Sequence, residues 1–276
     1  MHILAYLGAL AAALAYGSAT VLQAIAVARM AALPKGTSLP RRAAAGWLYA
    51  AGLVLDGAGF LASAVALQKL PLFLVESTIA ASVAVTAILA VVVLHQKLSR
   101  REITALWLLL AGLIVLGLTA AEGPSRAVPG WVGWALLGSV VLVALGSYLS
   151  WVALPQRASG ISLAIIAGTA FGLVGVGARL LPEHPSLASW FTDPYAWSLL
   201  ALGATSITVF GLALDRLETT TVAALNFAFE TIVPSAIGII WLGDHVRHGL
   251  WPVALIGFAL TLYSCMRLAS KAEISL

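Results

Sequence analysis

Residues 214–246 read LDRLETTTVAALNFAFETIVPSAIGIIWLGDHV. A charged turn at Asp215, Arg216 and Glu218 gives way to a long, mostly apolar run that stops at Gly243-Asp244-His245. About 20 such residues at 1.5 Å rise cross a ~30 Å hydrocarbon core, so the stretch reads as a membrane-spanning helix. One residue is out of place in hydrocarbon. Glu230 lies about ten residues inside the run, where an ionisable group costs several kcal/mol unless it faces protein or water.

The same alternation of apolar run and short polar break extends through the chain. Hydrophobic residues make up 61% of the 276 positions and charged residues 9%, too few charges to solvate a soluble globule of this size. The runs are continuous rather than alternating with period two, so helices and not a barrel are implied. Nine spans fit, with approximate limits 3–28, 44–67, 72–94, 103–121, 131–153, 160–181, 195–214, 220–242 and 249–268. The breaks carry Pro and Gly turn chemistry, as at Pro34/Gly36, Lys69/Pro71, Pro155, Pro194 and Gly243. Residues 3–28 read as a first span kept in the mature chain, being too long for a signal peptide and lacking a basic leader. The fold class is therefore an all-α polytopic membrane protein whose partner is the lipid bilayer. No polar stretch is long enough for a soluble domain.

The net charge of +4 does not point to nucleic acid, because the basic residues sit beside span ends. Their distribution orients the bundle. With the N-terminus outside, eleven fall inside: Arg29, Lys35, Arg41, Arg42, Lys97, Arg100, Arg101, Arg157, Arg216, Arg267 and Lys271. Four remain outside: Lys69, Arg126, Arg179 and Arg247. The positive-inside rule favours an N-out, C-in protein of the cytoplasmic membrane. The nine tryptophans near proposed span ends suit the headgroup level. The single cysteine, Cys265, forms no intrachain disulfide.

Residues 67–98, LQKLPLFLVESTIAASVAVTAILAVVVLHQKL, resemble 214–246 at an offset of 147, growing to 148 after one insertion. Leu67-Gln68-Lys69-Leu70 matches Leu214-Asp215-Arg216-Leu217, and Leu94-His95-Gln96-Lys97-Leu98 matches Leu242-Gly243-Asp244-His245-Val246. The second, third and fourth spans then correspond to the seventh, eighth and ninth. A shift of five crossings reverses direction, so the copies are inverted, the usual geometric basis of alternating access. The expected division is 1–121 (four helices), 131–268 (five helices) and a cytoplasmic tail at 269–276, with the first span unmatched.

This half-repeat resembles that of the drug/metabolite transporter superfamily, of the EamA type. Leu242-Gly243-Asp244-His245 is similar to its L-G-E signature with Asp for Glu, and Leu94-His95-Gln96-Lys97 departs from it further. Nine helices rather than the usual ten resemble the NIPA-type magnesium transporter branch. The resemblance implies the fold and a secondary transporter; for substrate it implies Mg2+.

Three carboxylates lie inside spans: Asp56, Glu76 and Glu230, and no Lys, Arg or His is expected at comparable depth. Asp56 and Glu230 each lie ~15 Å from the inner face, near the midplane, where such transporters hold substrate. Gly52, Asp56, Gly59 and Ser63 form a small, polar stripe on the second span; Ala223, Asn226, Glu230 and Pro234 form one on the eighth. Pro234 cannot donate to the Glu230 carbonyl, so carboxylate and carbonyl together could offer hard oxygen ligands to a cation. Asp56 and Glu230 are the candidate metal or cation ligands. Glu76 is expected ~6 Å inside the outer end of its span, lining a vestibule or paired with Lys69. Tyr16, Thr20 and Gln23 share one face of the first span and could face the cavity. Gly168, Gly172 and Gly175 read as helix packing, and the five histidines as loop or span-end residues.

Buried acid in a membrane bundle points to movement of a small cationic solute, Mg2+ or an organic cation, by alternating access. No phosphate-binding loop is present, so a gradient would drive it, and no cofactor is expected. A homodimer is compatible with the sequence. A non-transporting subunit, its acids paired with a partner's basic residues, is the alternative. An intramembrane enzyme is disfavoured, because Ser18 and Ser147 have no membrane-embedded His partner.

Overall fold

A computed structural model describes residues 2–34, 46–94, 99–121, 126–181, 190–217 and 219–269. Among them are nine helical segments long and apolar enough to cross a membrane, making the chain an all-α polytopic membrane protein. The helices are α1 (His2–Ala31), α2 (Trp47–Leu67), α3 (Leu72–Ala80), α4 (Ser82–Leu94) and α5 (Arg100–Thr119). After them come α6 (Trp131–Ala153), α7 (Gln156–Leu180), α8 (Pro194–Leu214), α9 (Thr219–Ile237) and α10 (Trp251–Ala269). The cluster His95-Gln96-Lys97-Leu98 and the tail from 270 lie outside the described residues.

Two spans are irregular. The third is interrupted at Ala81 into α3 and α4. The eighth carries Pro234 inside α9 and continues as a π-helical turn, Gly238–Leu242, that ends on Gly243 in the left-handed region (φ 78°), a conformation glycine adopts without steric cost. The sixth span begins at Gln156, earlier than expected, because Pro155 supplies an extended N-cap with φ already fixed. Elsewhere local chemistry sets the ends. Ser99 and Glu102 form a capping box on α5, and the Asp193 carboxylate accepts from the Tyr195 N–H to start α8 at Pro194.

Small residues let the helices approach, as expected where lipid removes the hydrophobic drive between them. The Gly52, Gly59 and Ser63 line of α2 is buried, and its glycines seat Gln23, Ala15 and Tyr16 of α1. Gly112 of α5 lies against Gly257 and Thr261 of α10. Gly168 and Gly172 of α7 lie against Asn226, Glu230 and Pro234 of α9, the packing role expected of that stripe. Thus α1 packs on α2 and the third span, α7 on α8 and α9, and α5 on α10.

One face of the bundle is tied together. A short antiparallel pair, β1 (Ala120–Ala121) and β2 (His245–Val246), puts Ala120 opposite Val246 and Ala121 opposite His245. The Arg247 N–H donates to the Thr119 carbonyl at 2.8 Å and the Arg126 N–H to that of Leu242 at 2.7 Å. We call this the clasp face.

The largest apolar core lies just beneath it. Ala5 and Ala9 of α1, Ala66 and Leu67 of α2, Leu72–Val75 of α3, Leu116 of α5, Val176 of α7 and Leu242 form one cluster. Toward the other face the core divides. One part is built on α6, α7, α8 and Val222 of α9; the other on Ala80–Val83, α5 and the end of α10. Many large apolar side chains, such as Leu14, Val54, Leu61, Leu142 and Ile207, remain exposed as a lipid-facing surface requires.

Candidate functional site

The acids gather around Tyr16. Its hydroxyl pairs with Ser63, and it interacts electrostatically with Glu76, Glu230 and Asp56. Glu76 and Glu230 also interact with each other. Four spans therefore supply the site: α1 gives Tyr16, α2 gives Asp56 and Ser63, α3 gives Glu76 and α9 gives Glu230.

Each acid has its own setting. Asp56 is half-buried and accepts a hydrogen bond from Gln23 Nε2 at 2.6 Å. Gly52 makes this possible, since a Cβ there would meet the Gln23 side chain. Glu230 is half-buried and accepts from Asn226 Nδ2 at 2.9 Å, one helical turn earlier. Asn226 is buried, and its Oδ1 has no hydrogen-bond partner among the described residues. The Ser77 hydroxyl beside Glu76 is buried and likewise unpartnered. A buried amide oxygen without a partner costs free energy and needs a structural or functional account.

Glu76 departs from expectation. It is 6% exposed and neither lines a vestibule nor pairs with Lys69 among the described residues. Its span begins inside the clasp-face core, with Pro71 through Thr78 all buried, and one carboxylate oxygen abuts the Gly175 backbone of α7. Depth along a helix does not reveal that both sides of the helix are covered. Gly175 is thus more than packing: it clears the space for the Glu76 carboxylate.

Asp56 and Glu230, the pair expected to bind a cation, are each held by an amide neighbour, Gln23 and Asn226, and Glu230 acts in turn on Glu76. Among the described residues no three of His, Cys, Asp and Glu converge as a metal site. The Glu230 carbonyl freed by Pro234 faces Gly172: a Cβ at that glycine would lie 3.1 Å from it. Thr20 spends its hydroxyl on the Tyr16 carbonyl at 2.9 Å, a bond along its own helix.

Thr20 nevertheless marks where the site opens. Ala9, Ala13, Tyr16 and Thr20 follow one line of α1, at i, i+4, i+7 and i+11. Ala9 and Ala13, toward the clasp face, are 2% and 5% exposed; Tyr16 is half-buried and Thr20 is exposed. The site therefore lies between a sealed half of the bundle and an accessible one.

Arg179, counted among the outer basic residues, lies at the end of α7 and is buried. It is 3% exposed and pairs with Asp244, itself 4% exposed, at 2.5 Å. It neutralises none of the three intramembrane acids; among the described residues no basic group acts on Asp56, Glu76 or Glu230. Its signal in the sequence was the lone Arg at the end of a glycine-rich span, with an acid after a glycine 65 residues later.

Gly175→Ala tests the geometry without touching a charge. Its methyl group would displace the Glu76 carboxylate, so solute binding should fall by about tenfold or more, at a packing cost of roughly 1–3 kcal/mol. Gly203→Ala, which meets open space, should leave both unchanged. Recovery of binding in Gly175→Ala/Glu76→Asp, read by calorimetry, would tie the loss to the carboxylate.

Comparison with protein-family models, with curated proteins and with solved structures finds no match for this chain.

Proposed function

We propose that the protein is a secondary transporter that carries a small cationic solute across the cytoplasmic membrane by alternating access. The observation carrying this reading is the cluster of Asp56, Glu76 and Glu230 around Tyr16, with no basic group among the described residues acting on any of the three acids. Negative charge gathered inside a membrane bundle is expensive and persists where a cation or proton comes to meet it. Binding falls chiefly to Glu230 and Glu76, with Asn226 supplying its Oδ1; Asp56, beyond Tyr16, guides the cation in or out. Mg2+ and small organic cations both suit oxygen ligands, and Mg2+ would keep part of its water shell.

The helix packing supports an inverted repeat. The first span packs on the second and third as the sixth packs on the seventh and eighth, and the fourth packs on its counterpart, the ninth. The two irregular spans, the third and eighth, are themselves counterparts. Matching the first span with the sixth leaves α6 as the additional helix of the second half. Discontinuous helices at a repeat interface are where carriers of this architecture bind solute. These features agree with the resemblance to the drug/metabolite transporter superfamily and its nine-helix, magnesium-transporting branch.

Flux in proteoliposomes, measured with Mg2+, polyamines and amino-acid cations under a proton or solute gradient, is expected to be saturable for one of these classes. Absence of flux for all of them, in protein shown to be folded, would refute the carrier reading. Orientation is a separate matter. Ala32→Cys should react with an impermeant maleimide only in inverted vesicles; reaction on intact cells would reverse the N-out, C-in assignment.

A further inference from the structure

Three features lie on the clasp face and none belongs to the acid cluster. The Asp244 carboxylate, placed by Gly243 after the π-helical turn, accepts from the Leu72 N–H at 2.6 Å and from Arg179. Arg179 donates further to the carbonyls of Leu67 and Leu70. One guanidinium and one carboxylate therefore join the α2–α3 turn, the end of α7 and the turn before α10. Gly238 is required for this, since a Cβ there would collide with the Asp244 carboxylate and press on Leu72. The β1–β2 pair and the Arg247 bonds to Thr119 and Ala120 add the end of α5.

The joined elements are those that bring residues to the site. α2 carries Asp56, α3 carries Glu76, and the eighth span carries Glu230 before ending in the π-helical turn. Beneath the clasp the apolar core is continuous; away from it the core divides, and Thr20 is exposed on the line where Ala9 and Ala13 are buried. A purely architectural staple would not require the seal to lie on one side of the acids only.

We infer that the Arg179–Asp244 pair is the latch of a gate on the clasp face, closed in this structure, and that it must part for the Tyr16 chamber to open to that side. Bistable packing of this kind, rather than gradual deformation, is how rigid elements switch access. A buried ion pair suits a latch. Its attraction is largely offset by desolvation, so the closed and open states can lie close in free energy while closed geometry stays specific. The latch rests on the carrier reading for its purpose, and it is tested separately.

The partners Ala121 and His245 permit a reversible lock, because directly opposed antiparallel residues lie within disulfide reach. Ala121→Cys/His245→Cys is combined with Thr20→Cys in a Cys265→Ala background, and modification of position 20 by an impermeant maleimide is followed by peptide mass mapping. The clasp face is the side from which reduced His245→Cys itself reacts. With the lock oxidised, position 20 should react from the opposite face only; on reduction, slow reaction from the clasp face should appear. Adding Asp244→Asn should speed that reaction about tenfold or more, and oxidation should abolish it again, which also shows that the variant is folded. Equal clasp-face reaction with the lock closed and open, including none in either state, would overturn the gate. So would failure to react from the opposite face, or an Asp244→Asn rate equal to that of the parent. Flux that persists with the lock closed would sink the gate and leave the carrier; switching access without flux would do the reverse.

Discussion

Glu230→Gln is expected to abolish solute flux while leaving the protein folded. The replacement is nearly isosteric, and its amide oxygen can still accept from Asn226 Nδ2, so the local hydrogen bond survives. The negative charge does not. Losing one partner of a buried charge contact costs about 2–5 kcal/mol, a fall of roughly thirty-fold to several thousand-fold in affinity. Glu76→Gln should act similarly, since Glu76 interacts with Glu230. Asp56→Asn should cost less, because Asp56 is half-exposed and keeps its bond to Gln23. Wild-type flux in both Glu230→Gln and Glu76→Gln would remove the site assignment. Thermal unfolding in detergent supplies the control, since loss of flux with an unchanged midpoint separates chemistry from collapse.

The largest stability effect is expected at the clasp. Arg179→Gln should cost about 3–5 kcal/mol, because it leaves the Asp244 carboxylate buried with the Leu72 N–H and without its counter-ion. Burial raises the Asp244 carboxyl above its ordinary value, and Arg179 and the Leu72 N–H only partly oppose that shift. A folded-state value above the unfolded one means the folded chain binds the proton more tightly. Its stabilising contribution is therefore complete below the unfolded value and is lost as pH rises through the folded one. At neutral pH the ionised pair is held at a cost, and its worth is geometric. Replacing both partners by apolar residues, Arg179→Met with Asp244→Leu, should accordingly recover much of the stability lost in either single variant. Denaturation midpoints of the two single variants and the double variant measure this directly. Strict additivity of the two losses would show that Arg179 and Asp244 do not act as a pair.

Particular residues show how far the chain could be read in advance. Glu230 was visible because a carboxylate in a twenty-residue apolar run has few innocent explanations. Asp56 and its Gly52–Gly59–Ser63 stripe were visible from spacing alone, and α1 does dock on that stripe. Gln23 shared a face with Tyr16, yet its bond to Asp56 required knowing which neighbouring span that face met. Glu76 was located in depth and misread in surroundings. Arg179 was counted among the outer basic residues from its place at a span end, and only the fold shows that an acid 65 residues away holds it buried there. The break at Ala81 has no Pro or Gly to announce it.

Membrane residence, the number and approximate limits of the spans and the identity of the intramembrane acids follow from sequence, because transfer into lipid is a property of each segment with its own composition. Which acids meet, where the bundle is sealed and that Arg179 holds Asp244 were decided only by tertiary structure. The physical reason is rotational. A span is apolar on both its lipid-facing and its protein-facing sides, so hydrophobic periodicity says little about how it turns about its axis. Close contacts at Gly52, Gly172, Gly175 and Gly238 set that angle, and they exist only between helices already assembled.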